Sequence, residues 1–395
     1  MNNSGIKLDK NLMKISNRRL VFSIIHGRGP ISRVQIAKLI NMSSMSVGKI
    51  TDGLVNLGLV TEEEIIHTTS AGLGRRPKML RVASDNLLCI GVEMDRDGVF
   101  VGIVNFHGQV VRKKSIRHDL YKDKPETVLK YVSDLIKEII DENSDLPITP
   151  AVGIACPGLI NVETGTIKFS SQLKWRDVNV VDILRKYTGI DKIVIDNEVK
   201  ARGIAEDLFG VAKNSSNTVV LNVGSGIGSS VVINHQIHRG ASNLAGEIGH
   251  ICINPTGSMC ECGRRGCLQT YIADWAILKD ARAVKPDATL DTVFDAYQYG
   301  ESWAVNLIDC VVKYVSITIS ILANTYAPDE IILCGRLIDN YKILRDVIFE
   351  NYKSQLNDYI MDSFKLKTSE FGSEGTVIGA GTLAFYHLMD DFFEK

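Results

Sequence analysis

The 395-residue sequence predicts an α/β protein in three parts: a small winged helix-turn-helix, then two α/β lobes facing each other across a cleft. Three observations carry that expectation. Helical periodicity broken by a serine-rich turn dominates residues 17–57, and short apolar strands alternating with amphipathic helices take over after Val82. One histidine and three cysteines then stand in register within GEIGHICINPTGSMCECGRRGCLQTY, residues 246–271.

Composition bounds the rest. With 45% hydrophobic and 23% charged residues the chain resembles a soluble protein that buries a full core, which excludes disorder and fibre. No apolar stretch follows a charged N-terminus and no run approaches 18 apolar residues, so a cytoplasmic protein with no membrane partner is expected. Cys89, Cys156, Cys252, Cys310 and Cys334 fall in apolar runs and read as reduced core residues. The net charge of −1 hides a basic N-terminal end. Residues 1–82 hold 13 Lys and Arg against 5 Asp and Glu, a surplus of +8, and the remainder carries −9. Such an end is matched to a polyanion.

In chain order, NRRLVFSIIHGRG from Asn17 reads as a helix with Leu20, Val21, Ile24 and Ile25 on one stripe, stopped by Gly27 and Gly29. Ser32 is expected to cap a short helix through Leu39, and Asn41 to Ser43 to turn the chain. Ser44 is then expected to cap a second helix whose Val47, Ile50, Leu54 and Leu57 share a face. Val60 to Ile66 and Lys78 to Val82 alternate as two strands of a wing, joined by TTSAGLGRRP. On this reading Ser44, Ser46 and Lys49 reach the major groove of DNA, and Arg33 and Gln35 lie near its backbone. Arg75 and Arg76 at the wing tip enter a narrow A·T minor groove.

The first lobe is expected to contain strands at Leu88–Glu93, Val99–Asn105, Val110–Ile116, Ala151–Ala155 and Ile193–Ile195, with a helix over Thr127–Glu142. The second opens at Thr218–Val223, breaks at GSGIG and resumes at Ser229–Ile233. Helices fill residues 274–327, and a strand over Glu330–Cys334 and a helix over about 379–387 complete it. Two such repeats, with ligand loops at strand C-terminal ends, describe an actin-like fold. Domains of 1–82, 83–198 plus the C-terminal helix of about 379–395, and 199–378 follow.

His250, Cys260, Cys262 and Cys267 are spaced by ten, two and five residues, with Gly257, Gly263 and Gly266 supplying tight backbone. Three thiolates and one imidazole favour tetrahedral Zn²⁺. Four protein ligands leave no open position, so the zinc is expected to be structural.

The helix-turn-helix, Pro157-Gly158-Leu159, Asp196-Asn197-Glu198, GSGIG, GEIGH and CxCGxxGC in one order resemble the ROK family (repressors, open reading frames and sugar kinases). The GRRPKML wing, CPGLI, LKWRDV and Asn-Glu at 197–198 are similar to its xylose-repressor type. The resemblance implies a sugar-kinase (ribonuclease-H-like) pair of lobes behind a winged helix-turn-helix. It also implies a homo-oligomer, dimer or dimer of dimers, that reads a palindromic operator under control of a small sugar. By the family's pattern Asn197, Glu198, Glu247 and His250 face the sugar, with Gln269 where the family usually has Glu.

Measured against a kinase of that family, the chain has GVEMDRDG in place of the phosphate-cradling Asp-x-Gly-Gly-Thr turn, Glu198 in place of the catalytic Asp, and Cys334-Gly335-Arg336 in place of a late Gly-Gly. No catalytic residue is assigned, and a sensor rather than an enzyme is expected.

Overall fold

The computed structural model describes residues 10–56, 59–64, 78–82 and 87–394. Its N-terminal unit comprises α1 (Lys10–Arg28), β1 (Ile31–Ser32), α2 (Arg33–Leu39), α3 (Ser44–Asn56), β2 (Val60–Glu64) and β3 (Lys78–Val82). The strands form one antiparallel sheet in the order β1-β3-β2, with Ile31 opposite Leu80 and Val60 opposite Val82. Ser32 caps α2 as expected, and Gln35 completes a capping box with it. The cap of α3 is Ser43 rather than Ser44, because the Ser46 N–H donates to the Ser43 hydroxyl at 3.1 Å.

Val21, Phe22, Ile25, Ile36, Val47, Leu54 and Leu80 are fully buried in this unit, and their cluster continues into Phe106, Phe385 and Met389 of the following lobe. The unit is therefore docked onto the rest of the chain through apolar surface. His26 sits at that joint, stacked on Phe106 with ring centroids 3.6 Å apart, its Nδ1 3.1 Å from the Tyr386 hydroxyl.

The first lobe runs through β4 (Leu88–Asp95), β5 (Gly98–Asn105), β6 (Val110–Arg117), α4 (Pro125–Asp141) and β7 (Ile148–Cys156). It continues with β8 (Leu159–Asn161), β9 (Thr166–Ser170), β10 (Trp175–Asn179), α5 (Val180–Thr188) and β11 (Lys192–Asn197). Its main sheet has the order β11-β7-β4-β5-β6, with β11, β7 and β4 parallel; β8, β9 and β10 make a separate antiparallel sheet. Parallel register puts Asn197 beside Cys156 and Glu93 beside Ala155, so these strands end together at one rim.

The second lobe follows with α6 (Glu198–Leu208), β12 (Asn217–Val223), β13 (Ile227–Ile233), β14 (Gln236–Ile237), α7 (Gln269–Ile272), α8 (Asp274–Val284), α9 (Leu290–Gln298) and α10 (Ser302–Tyr326). Then come β15 (Glu330–Cys334), α11 (Arg336–Asn340), α12 (Lys342–Asn351), β16 (Lys365–Thr368) and α13 (Gly375–Glu394). The sheet order is β14-β13-β12-β15-β16. α13 packs back on the first sheet, so closely that a Cβ on Gly153 would lie 1.8 Å from the Ala380 carbonyl oxygen.

The expectation for the cysteines needs correction. Cys89, Cys156 and Cys334 are buried, but Cys252 and Cys310 are exposed, Cys252 on the cysteine loop and Cys310 on an outward face of α10. α10 is also long and apolar enough to cross a membrane by those two measures. Its Ile308, Val311, Val315, Ile319 and Leu322 instead pack into the second lobe's core.

Candidate functional site

Asn197, Glu198, Glu247, His250 and Gln269 line one cavity between the lobes, although they come from three stretches of chain. Asn197 is the last residue of β11 and caps α6, its Oδ1 accepting from the N–H groups of Val199 and Lys200 at 3.0 and 3.2 Å. Its Nδ2 donates to the Gly158 carbonyl and to Glu198 Oε2. Asn197 thus aims Glu198. Glu247 and His250 arrive because Gly246 holds φ +95° and approaches β13 so closely that a Cβ would lie 1.9 Å from the Ser229 oxygen.

Sequence reasoning missed Gln172, whose side chain closes the same wall. Its buried Oε1 finds no partner among the described residues, and Ser170 and Ser171 lie beside it. The triplet Ser-Ser-Gln before Leu-Lys-Trp was the available signal. The cavity measures about 40 Å³, far below the roughly 300 Å³ at which ligand pockets begin. Its walls must part to admit anything larger than a few waters.

Burial, with Glu247 and Asp95 nearby, pushes the Glu198 carboxyl up to about 8. At neutral pH it is largely protonated and can donate as well as accept, which suits a ligand hydroxyl.

His250 Nδ1 and the sulfurs of Cys260, Cys262 and Cys267 all lie within 4.8 Å of one another. The Cys260–His250 and Cys262–Cys267 separations are 3.7 Å. Tetrahedral thiolates at about 2.3 Å from a metal sit about 3.8 Å apart, so this donor set fits one ion. Gly266, at φ +68°, makes the loop possible, since a Cβ there would lie 1.5 Å from the Asn254 oxygen. Gln269 is buried and donates from Nε2 to Cys260 Sγ at 3.3 Å. A carboxylate there would repel the sulfur; the amide ties the cysteine loop to the cavity wall.

A second cavity of about 480 Å³ joins the first through Glu198 and Gly226. It lies where the β4–β5 turn faces the GSGIG loop. Met94 is fully buried, while the Asp95 carboxylate accepts from Ser225 Oγ at 3.1 and 3.2 Å. Arg336 bridges Asp97 at 2.7 Å and Asp274 at 3.3 Å, and Arg96 reaches Glu261 at 3.3 Å. Desolvation, reinforced by Asp95, pushes the Glu93 carboxyl up to about 7. The cavity wall thus combines carboxylates tied up in cross-cleft bonds with Gly224, Ser225 and Gly226 of the GSGIG loop and the guanidinium of Arg336.

On the N-terminal unit the candidate DNA contacts divide. Ser44 and Lys49 are exposed on α3. Arg33 is instead held by Asp52 at 2.6 Å, Glu62 at 2.5 Å and Thr51 at 2.9 Å, which staples α2 to α3 and β2. Gln35 Oε1 accepts from Ser32, and the Ser46 hydroxyl bonds Ser43 at 2.8 Å. These three side chains make bonds within the motif, Gln35 while remaining exposed. Arg75 and Arg76, and the wing tip that carries them, lie outside the described residues.

A model described as the ROK family matches residues 89–386. The xylose repressor of Bacillus subtilis (strain 168) is 26% identical over 386 residues, covering 97% of this chain and 98% of its own. The DNA-binding transcriptional dual regulator NagC of Escherichia coli (strain K12) is 28% identical over 375 residues, covering 92% and 90%. Among solved structures, a ROK family transcriptional regulator described as a homolog of the E. coli MLC protein superposes with a TM-score of 0.74 at 24% identity, covering 96% of this chain and 98% of that one. A ROK family glucokinase from Streptomyces griseus, solved with glucose and AMPPNP, gives 0.68 at 21%, covering 76% and 99%. These two likenesses show the fold.

Proposed function

Because this chain belongs to the ROK family, we propose that it is a sugar-responsive transcriptional repressor of carbohydrate uptake or catabolism genes, in which a sugar in the interlobe cleft controls operator binding. One observation carries the reading. Asn197, Glu198, Glu247, His250 and Gln269 converge on one cavity, and α6, which starts there, ends against α1 of the N-terminal unit.

The cleft's chemistry supports a polyhydroxylated ligand. Two carboxyl groups, an imidazole and two amides can each pair with hydroxyls that both donate and accept. A structural Zn²⁺ on His250, Cys260, Cys262 and Cys267 would neutralise the thiolates and fix the tautomer and aim of His250. Residues 1–82 are proposed as the DNA-binding domain, 83–198 with the C-terminal helix as the first lobe and 199–378 as the second. The basic N-terminal end supports DNA as partner. A cytoplasmic homodimer or dimer of dimers on a palindromic operator completes the proposal, since two copies of one motif read two half-sites about 34 Å apart.

The rival reading is an active sugar kinase with an attached DNA-binding domain. The Glu198 carboxyl, poised near 8, favours it, because a base works best with a pKa near the operating pH. The carboxylates and cross-cleft bonds on the phosphate side oppose it. Equilibrium dialysis with labelled sugars and Mg-ATP separates the two. Bound sugar is expected back unphosphorylated; turnover near about 1 s⁻¹ that vanishes in Glu198→Gln would establish the kinase.

A further inference from the structure

α3 presents a surface that the serine and lysine contacts do not account for. Met45 is 73% exposed at the amino end of the helix, one turn before the exposed Lys49. An unbranched thioether standing in water at the start of the second helix of this motif is apolar area that nothing among the described residues covers. Gly48 lies one turn on from Ser44. A Cβ added at Gly48 would meet no heavy atom within 4 Å, so packing does not call for glycine there. A helix-interior glycine is also intrinsically unfavourable relative to alanine. Two locally unfavourable choices therefore sit side by side on one exposed face.

Both become favourable if the face is pressed into a DNA major groove. The thymine C5 methyl is the one apolar group the major groove offers, and an unbranched side chain can lie along it. A missing Cβ at Gly48 lets the helix backbone approach the base edges. We infer that Met45 is a specificity-determining residue that reads thymine methyl groups in the operator, and that Gly48 sets the depth of the helix that carries it. This rests on the regulator reading given above.

The test begins with the full-length protein selecting its site from a random duplex library. Each thymine of the selected site is then replaced singly by deoxyuridine, which deletes only the methyl. The parent is expected to lose about fourfold in affinity at one or more thymines, the value of one buried methyl-sized group. Met45→Ala is expected to bind more weakly and to be indifferent to that same replacement, and Met45→Leu to recover most of the loss. Gly48→Ala is expected to raise Tm while lowering operator affinity, a combination that a purely structural role would not produce.

Equal deoxyuridine effects in parent and Met45→Ala, or parental affinity in Gly48→Ala, would overturn the inference and leave the regulator reading standing. A parent that selects no sequence at any salt concentration would overturn both.

Discussion

Replacing Cys260 by alanine is expected to abolish stoichiometric metal binding and to weaken sugar affinity by about 10- to 100-fold, the usual scale for losing a group that orients a functional ligand. Operator affinity without sugar should stay near the parental value. Cys260 is buried, its sulfur lies 3.7 Å from His250 Nδ1, and it accepts from Gln269. One truncation therefore releases two of the five cavity residues. The N-terminal unit, with its own core around Phe22, Ile36 and Leu54, feels none of this directly. Elemental analysis, sugar calorimetry and gel shifts on the same preparations check the three parts. Parent protein purified without chelator but lacking one metal per chain would remove the metal from the account, as would a variant with undiminished sugar response.

Gly27→Ala is expected to uncouple sugar from DNA. α6 has 11 residues, about 16 Å at 1.5 Å per residue, with Glu198 at the cavity and Asp207 and Leu208 at the far end. There α1 crosses so closely that a Cβ on Gly27 would lie 2.8 Å from the Leu208 oxygen and 3.1 Å from its Cα. Backbone cannot yield as a side-chain tip can, so the helices must separate. Nearby, Arg28 Nη2 reaches His235 Nδ1 at 3.3 Å, and that nitrogen lies 2.9 Å from Asp207. Coupling between sites is typically five- to 150-fold in affinity. The ratio of operator Kd values with and without sugar should fall towards one in the variant while sugar affinity itself holds. An unchanged ratio would exclude this contact as the route. The neighbouring His26 is neutral in the joint because burial pushes it down to about 3, so the docked arrangement is insensitive to this group above the free imidazole's 6.5 and loses stability as pH falls from there towards 3.

The parts legible in the sequence were those where composition and spacing meet one physical requirement. The cysteine loop is an example, since thiolates, an imidazole and obligatory glycines have few other uses together. Asn197-Glu198 and Glu247-x-x-His250 were legible through family resemblance, and the cavity they share depends on α6, which follows β11, packing against β13 of the other sheet, which no local pattern encodes. β1 has two residues and β8 three, too few for alternation to register.

Arg33 illustrates a different limit. A basic residue opening the first helix of a DNA-binding motif matches a phosphate contact by charge alone. Only the folded chain reveals that Asp52 and Glu62 reach it first. Gln35 and Ser46 are likewise engaged within the motif, because capping and base contact use the same residue types at the same end of a helix.

The central claim is that the cleft and the N-terminal unit are thermodynamically linked. Titrating free and phosphorylated pentoses, hexoses and N-acetylhexosamines into the protein bound to its fluorescent operator, and then the operator into the sugar-bound protein, tests this directly. The account predicts at least one sugar that changes operator affinity fivefold or more, with the operator changing that sugar's affinity by the same factor. Tight operator binding that no sugar alters would contradict it and leave a DNA-binding protein with a vestigial cleft.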